Sequence, residues 1–423
     1  MRILSGKAAA ASVRKMAARG ARYADVEPTV RKIVADVRRR GDRAVRKYAE
    51  RLDGLRPGTP LRVPEAEIRQ AWRSVNSELT RSLRIAAANI RRFCEMQKPV
   101  EWTRSRAGIS LGQIVRPLDS VGCYVPGGRH PLVSTLLMTV IPAQVAGVGS
   151  IRVVSPNTHA EILAAAAMLG VREVYRVGGA QAIAALAYGT ESIPRVDKIV
   201  GPGNMYVTVA KKEVAFDCSI DFLAGPTEVL IVSDSGMSEF IASDLVAQSE
   251  HDPETMAVFI TTKRELAANV ALIVDEMCRT NLVARESIRR NGVILIARSR
   301  RQSFDWANEI AAEHLTIDHG DIALVRNAGS IFVGDYSAQA AGDYASGPNH
   351  VLPTGGAARF RGGLSVLDFV KLITVQKLSR PGLRRIGPAI EMLAAAEGLP
   401  AHAHSIQVRT RRVAVEQMGS GHA

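Results

Sequence analysis

Gln248 and His251 lie three residues apart in the stretch VAQSEHDPE (246–254), directly after an apolar run with helical spacing. On a helix, residues three apart share a face. An amide oxygen and an imidazole can then act on one ligand, while Glu250 points elsewhere. The same pair also suits an ordinary helix end stopped at Asp252–Pro253. Three further segments carry polar groups that are costly to bury without a task. They are AAEHLTI with Glu313 and His314, AGDYASGPNH with Asp343 and His350, and AEGLPAHAH with Glu397, His402 and His404. Each alone has a plain alternative: a helix end for Glu313–His314, a turn for Asp343, a surface loop for His402. As a set they are more informative. His, Asp and Gln side chains offer the nitrogen and oxygen donors that Zn²⁺ takes, with no thiolate to quench its Lewis acidity. A Glu–His pair titrates within reach of neutral pH and can move protons.

Three glycine loops follow strand-like runs: YVPGGRH (124–130), VGGAQA (177–182) and VGPGN (200–204). Glycine there lets the backbone approach a ligand closely. A helix starting after such a loop offers free N–H groups to phosphate, and VGGAQAIAAL fits that arrangement best. None matches the GxGxxG or Walker pattern, and each by itself also reads as a turn. Several loops at the C-terminal ends of parallel strands form one crevice. Tyr124, Gln181 and Asn204, in or beside these loops, can hold a nucleotide by stacking and amide hydrogen bonds. Metal donors, a proton shuttle and a nucleotide crevice together point to alcohol oxidation by NAD.

The elements that must position these groups alternate. Residues 26–98 read as helices. From about residue 102 the texture turns to strand and turn, then to a strand–helix rhythm with Ala-rich helices. A second alternating set begins at EVLIVSD and closes at GSIFVGD. This is the pattern of two α/β units with parallel sheets covered on both faces, whose contact is the expected place for a ligand. Beyond about residue 365, LSVLDFVKLITVQKLSR and the tail read as helix, with HSIQVR as a last strand.

At 423 residues the chain is longer than one core usually holds. The net charge of +14 raises nucleic acid or an anionic cofactor as partners. The arginine clusters fall on the polar side of amphipathic segments such as 30–52, however, which reads as a solvated face. No zinc-finger spacing or RNA-binding aromatic signature accompanies them. Four dispersed cysteines, none in a CxxC pair, suit a reducing cytoplasm. No run of about 18 apolar residues suggests a membrane span.

Nearly the whole chain resembles the histidinol dehydrogenase family. The most specific stretches are YVPGG, VGGAQAIAALAYGTESIPRVDKIVGPGN, QSEHDP, EHL, GDYASGPNHVLPT, ARF and EGLPAH. The resemblance implies a cytoplasmic enzyme of histidine biosynthesis, oxidising L-histidinol through the aldehyde to L-histidine with two NAD⁺ and one Zn²⁺ per subunit. By matching motif, Gln248, His251, Asp343 and His402 correspond to zinc ligands, and Glu313 and His314 to the catalytic proton-transfer pair. These six, with Thr227, His350 and Glu397, correspond to substrate contacts; Tyr124, Gln181 and Asn204 correspond to NAD contacts. Thr227 stands where the family often has Ser, and GPNH where some members have GTNH. A related zinc- and NAD-dependent dehydrogenase of another small diol or amino alcohol is the alternative. The implied fold is α/β: two incomplete Rossmann-like domains, a helical N-terminal segment and a C-terminal tail exchanged in a homodimer with shared sites. The expected division is 20–118 with 227–366, 1–19 with 119–226 for NAD, and 367–423 reaching the partner. Nucleic acid and membrane are not expected partners.

Overall fold

The computed structural model describes residues 1–19, 24–127 and 132–411. The chain opens with β1 (Arg2–Ser5), α1 (Gly6–Ala17), α2 (Glu27–Leu52), α3 (Glu65–Ser74) and α4 (Ser77–Met96). Next come β2 (Trp102–Arg106), β3 (Ile109–Pro117), β4 (Ser120–Tyr124), α5 (Val133–Ala146), β5 (Ser150–Val154) and α6 (Ala160–Met168). β6 (Glu173–Tyr175), α7 (Gly179–Tyr188), β7 (Lys198–Val200), α8 (Met205–Val214) and β8 (Ser219–Ile220) follow. The second α/β stretch holds β9 (Glu228–Val232), α9 (Ser238–Ser249), β10 (Met256–Thr261), α10 (Arg264–Met277), α11 (Leu282–Asn291), β11 (Gly292–Ile296), α12 (Arg300–Ile310), β12 (His314–Ile317), β13 (Ser330–Val333) and α13 (Gln339–Tyr344). The tail forms β14 (Val370–Leu378), α14 (Arg380–Ala396) and α15 (Pro400–Thr410).

Two compact units result: Met1–Lys98 with Pro117–Phe369, and Pro99–Arg116 with Val370–Ala423. The first carries both parallel sheets. β6-β5-β4-β7-β8 and β11-β10-β9-β12-β13 share one winding, and β1 is added beyond β11. In each, the first strand formed is central and the order reverses beside it, so each has a switch point between its first and fourth strands. Every residue of β9, β10 and β11 is buried, the near-continuous apolar run of a strand covered on both faces. α5, α6 and α7 are apolar all round and lie in the core accordingly.

The N-terminal segments pair differently from the expected division. Arg2–Ser5 adds in parallel to Val293–Ile296, so 1–19 joins the 228–333 sheet and not the 119–226 half. Conversely α2 packs on α7 and α8, α3 on α6, and α4 on α5, so the N-terminal helices cover the 120–220 sheet. Hydrophobic cover decides this: Val30, Ile33, Val37 and Val45 share one core with the small residues of α7. Exposed arginines on α2 pair with acids, as Arg31 does with Glu27 and Glu213.

The second unit joins β14, β3 and β2 in one sheet, whose strands β2 and β14 are largely exposed. Residues 370–378 are a strand, not the expected helix; VKLITVQKL is rich in β-branched residues. HSIQVR is helical within α15, not a strand, because Pro400 at the first turn starts a helix that runs through it. Among the described residues no helix is long and apolar enough to cross a membrane.

Candidate active site

The N-terminal ends of β9 and β12 are neighbours, with His314 opposite Val229. This register brings Glu313 beside Glu228. The Glu228 backbone N–H donates to Glu313 Oε2 at 3.0 Å, and His314 Nδ1 lies 3.3 Å from the Glu228 carbonyl oxygen. With Nδ1 donating to that carbonyl, Nε2 is left as the free base of the ring. His314 Nε2 is buried without a hydrogen-bond partner, 3.4 Å from Asp343 Oδ1. Glu313 Oε2 lies 3.7 Å from His314 Nδ1.

Asp343, on α13, also accepts from Gln248 Nε2 at 2.6 Å. Gln248, near the end of α9, is itself buried, and its Oε1 has no partner. His350 Nδ1 is 2.7 Å from the Asp343 carbonyl oxygen, and Nε2 is 3.3 Å from Thr135 Oγ1 on α5. A proline fixes that loop. Pro142 inside α5 has no N–H to give to Met138, four residues back. The freed Met138 carbonyl accepts from Asn349 Nδ2 at 2.6 Å, and Asn349 Oδ1 accepts from Val351 N at 2.9 Å. The residue next to His350 is thereby pinned to α5, whose own start follows the YVPGG loop.

Burial pushes the Glu313 carboxyl up to about 8, against the pull of His314. Burial works against the His314 imidazolium, yet Glu313 and Asp343 outweigh it and raise its affinity for a proton. Burial also opposes ionisation of Asp343, but the adjacent His314 ring, 3.4 Å away, holds it below its ordinary range. Glu313 and His314 therefore titrate as one unit. Burial lowers the His350 imidazole, and the charges of His314 and His251 add to that effect. A neutral, doubly bonded His350 results.

The structure thus gathers Gln248, Glu313, His314, Asp343 and His350. His251 lies exposed one turn beyond Gln248, its N–H on the Gln248 carbonyl at 3.3 Å. Thr227 immediately precedes β9, and its carbonyl accepts from Met256 N. Glu397 and His402 are exposed in the second unit, at the end of α14 and in α15. Among the described residues no three His, Cys, Asp or Glu side chains are close enough to hold a metal ion by themselves. Gln is not of that set, and the orphaned Gln248 Oε1 beside an ionised Asp343 suits an oxygen-seeking cation.

The nucleotide candidates lie at the C-terminal edge of the other sheet. The Tyr124 hydroxyl accepts from Gly179 N at 3.0 Å, and the Asp53 carboxylate accepts from Gly178 N at 2.9 Å and from Gln181 Nε2 at 3.0 Å. Two of the N–H groups at the start of α7, those of Gly178 and Gly179, expected to be open to phosphate, are therefore already engaged. Asn204, exposed, caps α8 by accepting from Val207 N. The switch point falls instead between the loops after β4 and β7, where Pro126–Gly127 and Gly201–Asn204 lie. Gly128, Arg129 and His130 of YVPGGRH lie outside the described residues.

A family model described as histidinol dehydrogenase matches residues 16–410. The chain is 48% identical over 402 residues to the histidinol dehydrogenase of Methanothermobacter thermautotrophicus, covering 92% of this chain and 94% of that protein. With that of Bacillus anthracis it shares 46% identity over 397 residues, 91% of this chain and 92% of the relative. The crystal structure of histidinol dehydrogenase from Elizabethkingia anophelis superposes with a TM-score of 0.92 at 35% identity, over 97% of this chain and 98% of that one. The chain belongs to the histidinol dehydrogenase family. It is accordingly an oxidoreductase. What the histidinol dehydrogenase motifs did not single out is the support: Glu228 and Asn349 around the pair and its loop, and Asp53 at the start of α7. Glu228 follows Thr227 in AGPTE, and a carboxylate opening an otherwise apolar strand was the available signal.

Proposed function

We propose that the chain oxidises L-histidinol to L-histidine with two NAD⁺, at a site built on Glu313, His314, Asp343 and Gln248. The observation that carries this reading is a buried base, His314 Nε2, left without a partner beside a carboxyl held largely neutral at Glu313. His314 Nε2 takes the carbinol proton as hydride departs to NAD⁺. Glu313, once ionised, takes a proton from the water that attacks the aldehyde. The protonated His314 returns its proton to the carbonyl oxygen, and the hydrate so formed gives its hydride to a second NAD⁺ and a hydroxyl proton to His314 Nε2. Gln248, His251, Asp343 and His402 would hold Zn²⁺, which would supply Lewis acidity to the bound substrate. Burial of the pair keeps bulk water from the aldehyde. Tyr124, Gln181 and Asn204 would frame the NAD crevice, the first two by shaping the α7 loop and Asn204 from the switch-point loop.

The second unit suits a homodimer. Its strand β14 leaves Leu372, Ile373 and Val375 exposed, as α14 leaves Met392 and Leu393. Exposed large apolar side chains on both a strand and a helix of one small unit are what a partner surface would cover. A second copy would bring Glu397 and His402 to the site in trans. The deciding assay follows NADH release from L-histidinol with and without a chelator. Two NADH per substrate, lost on chelation, is the expected result. Turnover of a small diol in place of histidinol would favour the alternative substrate class.

A further inference from the structure

We propose that Glu228, clamped by Arg19, is the positioning residue that sets the tautomer and spacing of the Glu313–His314 pair; this rests on the catalytic reading of that pair. The two oxygens of Glu228 take both arms of the Arg19 guanidinium, Oε1 from Nε and Oε2 from Nη2, each at 2.5 Å. The Glu228 side chain is only 5% exposed and that of Arg19 19%. A bidentate, largely dry pair of this kind is geometrically rigid. Arg19 also donates to the Ile310 carbonyl at 2.8 Å and the Ala311 carbonyl at 3.4 Å. Those carbonyls end α12 two and three residues before Glu313, at a non-glycine residue in the left-handed region (Ala311, φ 53°).

Glu228 then touches every part of the pair. Its carboxylate accepts from Glu313 N at 3.3 Å and from Gly355 N, at the end of the His350 loop, at 2.8 Å. Its backbone N–H holds the Glu313 carboxyl, and its backbone carbonyl faces His314 Nδ1. One residue, anchored at its side chain, therefore presents a donor to the carboxyl and an acceptor to the imidazole. Losing the clamp releases the carboxylate's hold on Glu313 N, which keeps Glu313 and its neighbour His314 against the Glu228 backbone, and a His314 no longer held by Nδ1 populates the wrong tautomer.

The test uses Arg19→Met, Arg19→Lys and the double variant Arg19→Met/Glu228→Gln. Arg19→Met lowers both the melting temperature and kcat, the latter by about 10- to 100-fold, with KM for histidinol and NAD⁺ little changed. Arg19→Lys retains the charge without the fork and falls between. The double variant, which no longer buries an unpaired carboxylate, regains most of the melting temperature while kcat stays low. Recovery of kcat in step with melting temperature would make the role merely structural and overturn the inference. The ¹⁵N resonances of the His314 ring report the tautomer directly: a single Nδ1–H form in the parent, a mixture in the double variant. An unchanged His314 signal also overturns the inference, whatever the rates of Glu313→Gln and His314→Asn, which test the catalytic reading on their own.

Discussion

At the residue scale, Glu313 is asked to be neutral in one half-reaction and basic in the next. Its burial is what makes that possible, since a carboxyl near 8 is poised close to working pH. Glu313→Gln keeps the shape and the hydrogen bond from Glu228 N but removes the base. Oxidation of histidinal should fall by about 10²- to 10⁴-fold, and release of the first NADH from histidinol by less. Equal loss in both half-reactions would remove the division of labour between Glu313 and His314. The same carboxyl leaves a mark on stability. Its pKa is about 8 in the folded state against 4.5 for the ordinary group. Between those values the folded chain holds a proton that the unfolded chain has lost. The stability this group contributes is therefore complete below pH 4.5 and declines as pH rises toward 8. Gln has no such decline. In chelator-treated protein, the melting temperature of Glu313→Gln relative to the parent should rise between pH 5 and pH 9, by on the order of a few degrees. A gap independent of pH would place the Glu313 carboxyl in water.

At the element scale, the loop joining β7 to α8 is held by a buried ion pair that no motif announced. Lys211 Nζ, on α8, donates to the Gly201 carbonyl at 2.5 Å and to Asp221 Oδ1 at 2.6 Å; Asp221 Oδ2 accepts from Gly201 N at 2.8 Å. Both side chains are buried. Gly201 has φ +113°, and a β-carbon there would overlap the Tyr124 carbonyl oxygen. The glycine is needed because β4 and β7 close on each other at the switch point. The sequence displays GPGN as a turn. It does not display the brace, since Lys211 lies in a run of helix-compatible residues and Asp221 at the end of a two-residue strand. Lys211→Met should cost about 3–5 kcal/mol by stranding Asp221, and raise KM for NAD⁺ more than KM for histidinol, because the freed loop carries Asn204. Thermal unfolding and the two KM values check this. A destabilised enzyme whose KM values rise equally would detach the loop from NAD binding.

At the scale of the whole molecule, the two parallel sheets were legible because runs such as EVLIV and GVILI are apolar on both faces and separated by helices of fitting length. The exchange of N-terminal segments was not. RILS is four residues with a mostly exposed pattern, and its partner strand begins almost 290 residues later. Local composition carries no record of so distant a pairing. The site shows the same limit. Helical spacing put Gln248 and His251 on one face, but α9 ends at Ser249 and leaves His251 exposed beyond it; Asp343 against Gln248 depends on how α13 meets α9, and Glu228 against Glu313 on sheet register. His402 belongs to the second unit, on a helix, α15, that buries none of its side chains. If that helix completes the site of a second copy, two inactive variants can rescue each other. His402→Asn and His314→Asn each have no intact site as homodimers. In a mixed dimer one site carries both defects and the other neither. After subunit exchange at equal concentrations, half the dimers are mixed, and activity should return to about a quarter of the parent value. Exchange is verified separately by mixing differently tagged parent subunits. With exchange proven and no activity regained, His402 serves the site of its own chain or none.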